Sequence, residues 1–550
     1  MTNPIVPNFE RPGKMPNDSS GLAGLDYVVL VAYAAAMLGM GFYIARKQRS
    51  TEDFFVGGRN LPAWAVGLSL LASLLSTITF LGMPGEMFRT GMGFLTRYLA
   101  IPFVLLVVWC LWLPFFMRLK LTSAYEYIER RFNYTTRVLA ALICMAILLG
   151  LMAVVVLTAS NAMAEIVALD LPWFFGVNNS DFRDADSHAI ILAIGLFSVI
   201  YTTLGGIRAV VWTDVVQFFI LVGGAIFTIV FVAVETDSGL GDWVAAQKAY
   251  PYGEEVEWFS WDVSNRTTVF FVSISAFFWL ICTHGANQMA LQRYFTVSSP
   301  WAARRSYLIS ALANLGLAIL LSAVGLALLY FIQDHALPSA DDVLAEDQAI
   351  RYPAQDRVFP QFIRFYLPSG VRGLVVAALF AAAMSTIDSG ANSMSTIITV
   401  DFVRRLRSGK ASAAAELRMA RMLTATMGLI IVVLSIILYH AAKETDIIAL
   451  CQKGFNCFLG PLGALFVLGL FSARATPTTV IPALLIGEVF GVCSSYSSEL
   501  FGISYSTHLV IAGSWLTTIV TGHLIAMVLG TRASKEQLLW MWWPVVRSQR

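Results

Sequence analysis

Charge is what this chain has least of. Only 13% of its 550 residues are Asp, Glu, Lys or Arg, 57% are hydrophobic, and the net charge is +2. Soluble domains carry about 25% charged residues, so composition excludes that class and points to a polytopic membrane protein, with the lipid bilayer as its first partner. Cysteine is also scarce. The six (Cys110, Cys144, Cys282, Cys451, Cys457, Cys493) all fall in apolar stretches and none forms a CxxC pair, which excludes a disulfide framework and a zinc site built on cysteines. There is no HExxH, no GxSxG and no second Asp near Asp388. An intramembrane enzyme would therefore lack its metal, nucleophile or paired acids, and no catalytic residue is expected. No soluble domain, linker or low-complexity tract interrupts the hydropathy pattern, and no nucleic-acid partner is expected.

What is present is a series of apolar runs of about 20 residues, the length of a membrane span. Thirteen begin near Leu25, Leu61, Met92, Arg137, Ala189, Ile207, Thr267, Ser306, Gly370, Arg421, Asp446, Thr476 and Thr507. The first is too long for a signal-peptide core, so it reads as a retained helix. The connections at Arg46–Arg49, Arg118–Arg137, Arg293–Arg305 and Arg404–Arg421 are basic, whereas Glu235–Asp262 and Asp334–Arg357 are longer and acidic. The positive-inside rule then puts the amino terminus outside and the carboxyl terminus in the cytoplasm, as an odd span count requires. The loop Gln333–Gln361 has room for one short extracellular helix, and Trp540, Trp542 and Trp543 in the tail read as an interfacial anchor.

Two spans are not clean helices. The second carries Ser73, Ser76, Thr77 and Thr79 before Gly82, Pro84 and Gly85; the seventh holds Thr283, His284, Gly285, Asn287 and Gln288. They lie five spans apart, so spans two to six and seven to eleven form two units, each opening on a broken helix and inverted relative to the other. That is the signature of a transporter with its site at mid-membrane. The expected division is a tail (1–24), an extra helix and loop (25–60), a first repeat (61–235), an extracellular loop (236–266), a second repeat (267–471), two peripheral helices (472–531) and a cytoplasmic tail (532–550). In the ninth span, GVRGLVVAALFAAAMSTIDSGANSMSTIITV places Ser385, Thr386, Asp388, Ser389, Asn392 and Ser393 at membrane depth. A carboxylate there costs a few kcal/mol unless it meets a cavity, a partner or an ion. Hard oxygen donors suit a small cation; the alternative is hydroxyls that only bond helix to helix.

These residues resemble the sodium/solute symporters, the sodium/glucose cotransporter family. The resemblance rests on STEDFFVGGRNLPAWAVGLSLLAS (50–73), LTSAYEYIERRF (121–132), GGIRAVVWTDVVQ (205–217), GANQMALQRY (285–294) and GLVVAALFAAAMSTIDSGANS (373–393), in family order. It implies an all-α integral membrane protein with a LeuT-type 5+5 inverted repeat, one extra amino-terminal helix and two carboxyl-terminal ones. Sodium is then the coupling ion, no other cofactor is needed, and the monomer is the functional unit in a bacterial inner membrane. By resemblance, sodium is held by the carbonyls of Ala72, Leu75 and Ala382 and the hydroxyls of Ser385 and Thr386. A second ion or gating role falls to Asp214, for which the plainer reading is a helix cap or a base partner near Arg208, and to Asp388, which departs from the family pattern and adds a coordinating charge, a proton site or a structural partner.

The solute is expected between the broken helices, lined by Ser76, Thr79, Thr283, His284, Gln452 and Asn456. Arg97 and Lys453 near the outer ends of their spans suggest a vestibule for an anion, since a guanidinium grips a carboxylate with two bonds; snorkelling to the interface is the bland account. Sialic-acid-transporting relatives carry their carboxylate-binding Arg where this chain has Leu151, while TITFLGMPGEMFRTG (77–91) is similar to their branch and to the monocarboxylate and vitamin branches. The expected function is sodium-coupled uptake, by alternating access, of a small organic anion such as a sialic acid, sugar acid or monocarboxylate. The alternatives are a neutral sugar or polyol, proton coupling, and from other classes a channel or a transporter-like solute sensor.

Overall fold

The computed structural model describes residues 21–167, 183–250, 256–263, 268–334, 352–406, 412–441, 452–503 and 505–547, and these are almost wholly helical. The long helices are α1 (Gly24–Ala45), α2 (Ala63–Leu74), α3 (Thr77–Thr90), α4 (Gly91–Leu119), α5 (Tyr134–Val167), α6 (Arg183–Glu235), α7 (Val269–Ala286), a short α8 (Gln288–Tyr294), α9 (Pro300–Asp334), α10 (Val371–Ile397, continuing to Leu406), α11 (Ala413–Ala441), α12 (Cys457–Phe471), α13 (Pro477–Ser495) and α14 (Thr507–Val528). Among the described residues eleven helices are long and apolar enough to span a bilayer, and α2 with the first part of α3 makes a twelfth, bent by 67°. The unit α6 has 53 residues, about 80 Å at 1.5 Å per residue and far beyond a bilayer of about 30 Å. It is broken at Gly206, whose φ of 54° and ψ of −165° are not helical. The expected thirteen follows if that break parts two spans. Residues 1–20 of the expected tail 1–24 and much of the loop 333–361 lie outside the described residues, although a helix at Tyr352–Phe365 begins within that loop.

Both breaks are present, each displaced from the glycines and proline that advertise it. The first lies at Leu75 and Ser76, which are extended, and α3 then runs on through Pro84. The second lies at Asn287 (φ −82°, ψ 124°), one turn closed by its own side chain, which accepts a bond from the Met289 amide at 2.9 Å. Around them α10 is the buried axis, packed on α1, α5, α6 and α11, while α2 and α3 run against α9. Asp26 of α1 anchors the start of α10, accepting from the amides of Gly370 at 2.6 Å and Gly373 at 2.8 Å and from Arg372 at 3.0 Å. Helices α12, α13 and α14 form a separate flank. The tail is tied to protein as well as exposed: Trp542 donates to the Leu111 carbonyl at 2.9 Å and Arg130 lies 5.1 Å over Trp540, while Trp543 is exposed.

The Gly206 break tolerates no side chain. A Cβ there would stand 2.6 Å from the Phe54 carbonyl oxygen, in a backbone conformation reserved for glycine. Gly206→Ala is expected to cost on the order of 1–3 kcal/mol, seen as a lower melting temperature in detergent. Gly239→Ala, where a Cβ meets nothing within 4 Å, should melt with the parent protein.

Candidate ion and solute site

At the first break the backbone leaves carbonyls without helical partners, a costly state at membrane depth. The structure brings two hydroxyls of α10 to them. Ser385 donates to the Ala72 carbonyl at 2.9 Å and to Ala382 at 3.2 Å; Thr386 donates to Leu75 at 3.4 Å and to Ala382 at 3.2 Å. Three carbonyl and two hydroxyl oxygens thus converge between α2 and α10, all on buried residues. Neutral, hard oxygen donors of this kind fit a monovalent alkali cation that must also be released.

Beside this cluster lies a fully buried ion pair. Arg293, on α8, reaches Asp214 of α6 at 3.3 Å, Ser69 at 3.1 Å and the Met289 carbonyl at 2.8 Å, and also bonds Ser389. Asp214 accepts from Ser69 at 2.6 Å and Ser73 at 3.2 Å, and Ser389 donates to Ser73 at 2.9 Å. The base that pairs with Asp214 is therefore Arg293 and not the nearby Arg208, which bonds Asn60 at 3.0 Å. This network joins both broken helices to α6 and α10. Asp388 points elsewhere: one oxygen accepts from Thr202 at 2.6 Å and the other has no hydrogen-bond partner among the described residues. Asp26, Asp214 and Asp401 each have an arginine, Arg372, Arg293 and Arg137 respectively; Asp388 has none among the described residues.

Two cavities open beside the first break. The larger, about 230 Å³, is bordered by Ser76, Thr79, Arg97, Asn456, Leu151 and Thr386. The smaller, about 90 Å³, is bordered by Thr79, Arg97, His284 and Asn314 among others. Arg97 lines both, its guanidinium 5.0 Å from the Phe94 ring centre, with no carboxylate partner among the described residues. His284 is committed in part to Tyr294, whose hydroxyl lies 2.9 Å from its Nδ1. Thr283 borders neither cavity, because the helix continues past it to Ala286 and turns it into the packing. The Gln452 side chain lies outside the described residues. Lys453 is not a free vestibule cation: it pairs with Glu499 and borders neither cavity. Its ammonium holds the Glu499 carboxyl down at about 2.

The profile of the sodium:solute symporter family matches residues 54–487. The chain belongs to that family. It is similar to the sodium/sialic acid symporter SiaT of Proteus mirabilis (strain HI4320), 30% identical over 499 residues that cover 89% of this chain and 94% of the relative. It is 31% identical over 510 residues to the sodium/sialic acid symporter NanT of Aliivibrio fischeri (strain ATCC 700601 / ES114), covering 90% and 93%. The fold matches a sodium-coupled sialic acid symporter solved in a substrate-bound outward-open state, with a TM-score of 0.80 and 27% identity over 93% of this chain and 99% of that one. The symporter is thus a LeuT-type, multi-pass, sodium-coupled transporter and not an enzyme.

Removing one partner of a buried ion pair strands the other, at about 3–5 kcal/mol. Arg293→Gln in this symporter should lower the melting temperature sharply, and the double variant Asp214→Asn, Arg293→Gln should recover part of the loss. Equal melting of single and double variants would contradict the pairing.

Proposed function

We propose that this symporter couples inward sodium movement to uptake of a small organic anion, with Arg97 holding the carboxylate. The observation that carries this reading is a guanidinium that lies against the Phe94 ring, has no carboxylate partner among the described residues, and lines the same cavity as Thr386 of the oxygen cluster. Sialic acid symporters among the relatives support an anion as cargo. Leu151, at the cavity wall, offers no second grip on a carboxylate, so the anion class extends to sugar acids and monocarboxylates. Ser76, Thr79, His284 and Asn456 complete the solute shell.

Sodium is bound by Ala72, Leu75, Ala382, Ser385 and Thr386. The hydroxyls that now donate to carbonyls rotate, so that their lone pairs join those carbonyls around the ion. Asp388, which has no basic partner among the described residues, is where a further cation is neutralised, whereas Asp214 acts with Arg293 as a gating pair. The amino terminus faces outward, the carboxyl terminus faces the cytoplasm of a bacterial inner membrane, the domain division is that of the two repeats with their flanking helices, and the monomer transports. A neutral sugar or polyol as cargo is the competing reading, favoured by the hydroxyl-bearing Ser76 and Thr79 at the cavity.

Replacing Ser385 and Thr386 with Ala should raise the sodium concentration for half-maximal uptake at least about tenfold, since two charge-assisted contacts of about 1.5–3 kcal/mol each are removed. Unchanged sodium dependence would remove these hydroxyls from the ion site. Arg97→Gln should raise the KM for the anion by about tenfold or more while sodium binding measured without solute stays as in the parent; an unaltered KM would send the cargo to the neutral class.

A further inference from the structure

Outside the transport machinery, two histidines meet on the seam between α6 and α11. Their Nε2 atoms lie 3.1 Å apart at the solvent-exposed ends of the two helices, with ring centres 5.0 Å apart. The seam holds them in place. A Cβ on Gly195 would stand 2.2 Å from Val432, and one on Gly428 would stand 2.2 Å from Val199. These glycines let the two antiparallel helices approach at closely spaced levels. His188 and His440 occupy the next level outward in the same register, two turns beyond Gly195 and Val432. The Tyr439 ring packs edge-on against both imidazoles, at 5.2 and 5.4 Å, and Ser160 of α5 donates to the Ser187 carbonyl at 3.0 Å. The pair is therefore set by helix packing and not by a loop.

We propose that His188 and His440 form a chelate for a borderline divalent transition metal, such as Zn²⁺ or Cu²⁺, at the outer ends of α6 and α11. Two imidazoles bound at about 2.0–2.1 Å and subtending about 90–110° at a metal have nitrogens about 2.9–3.4 Å apart, and the observed separation falls inside that bite. The proton now shared between the two Nε2 atoms passes through water to the Nδ1 of its own ring, so both rings present an Nε2 lone pair and no net proton is released from a neutral pair. Water completes the coordination sphere. Imidazole ligands discriminate against sodium, which takes hard oxygen donors, so this site does not compete with the oxygen cluster on α10. A metal here would clip α6 to α11 at the end opposite the basic Arg404–Arg421 connection, extracellular in the orientation proposed above.

The test is titration of the full-length protein, freed of any polyhistidine tag, with ZnCl₂ by calorimetry and with Cu²⁺ by electron paramagnetic resonance. One metal per chain is expected, with two equivalent imidazole nitrogens in the copper spectrum and a zinc-dependent rise in melting temperature. His188→Gln and His440→Gln should each weaken zinc binding at least about tenfold and abolish that rise, while melting without metal and sodium-dependent transport stay as in the parent. Zinc affinity unchanged in both variants, or a copper spectrum with a single nitrogen, would overturn the proposal.

Discussion

Backbone polar groups cannot be left unpaired inside a bilayer, and this protein is arranged around the one place where its chain breaks that rule most openly. Between Leu74 and Thr77 the helix stops and restarts at 67°, leaving carbonyls that a continuous helix would consume. The α10 hydroxyls that cover them, Ser385 and Thr386, have to sit on a helix buried on nearly every face. The buried run of alanines ahead of them keeps that stretch of α10 small enough for close helix packing, and Asp26 on α1 fixes where α10 begins. At the proposed ion site, a cation would take the place of the two hydroxyl hydrogens as the partner of those carbonyls. Binding there would couple to helix geometry at one point.

The second break repeats the device with different chemistry. Asn287 caps its own restart, and the short α8 that follows delivers Arg293 into a network of Asp214, Ser69, Ser73 and Ser389. A buried ion pair is a poor source of net stability, because desolvation offsets most of the attraction. Its value here is geometric: it makes the position of one broken helix depend on the other and on α10. A shift of either helix that separates Arg293 from Asp214 exposes two uncompensated charges, so the helices are constrained to move together.

The architecture and the oxygen cluster were legible because they rest on strong local signals. Apolar runs of membrane length, two polar and glycine-rich interruptions five spans apart, and adjacent hydroxyls beside small residues are properties of single segments. What escaped the sequence depended on distant partners. Arg293 reads as one more basic residue at the edge of a basic connection, although its place nearly two turns beyond a helix break, in QRY, was the available clue. Lys453 looked free because its acid, Glu499, is 46 positions away. Thr283 borders neither cavity because the turn falls at Asn287, where an Asn can cap the new helix, and not at the more conspicuous Gly285. Asp388 lies on the α10 face toward Thr202, a direction fixed by how α6 packs, which periodicity alone did not supply.

The central claim is that cation and solute meet at one helix break and therefore bind cooperatively. Equilibrium binding of a radiolabelled carboxylate to the purified protein, across sodium concentrations and in potassium, tests it most directly when paired with sodium binding across carboxylate concentrations. Linkage requires that sodium tighten the carboxylate by the same factor as the carboxylate tightens sodium, about 5–150-fold for typical couplings, with potassium inert. Carboxylate affinity that is equal in sodium and potassium would contradict the account.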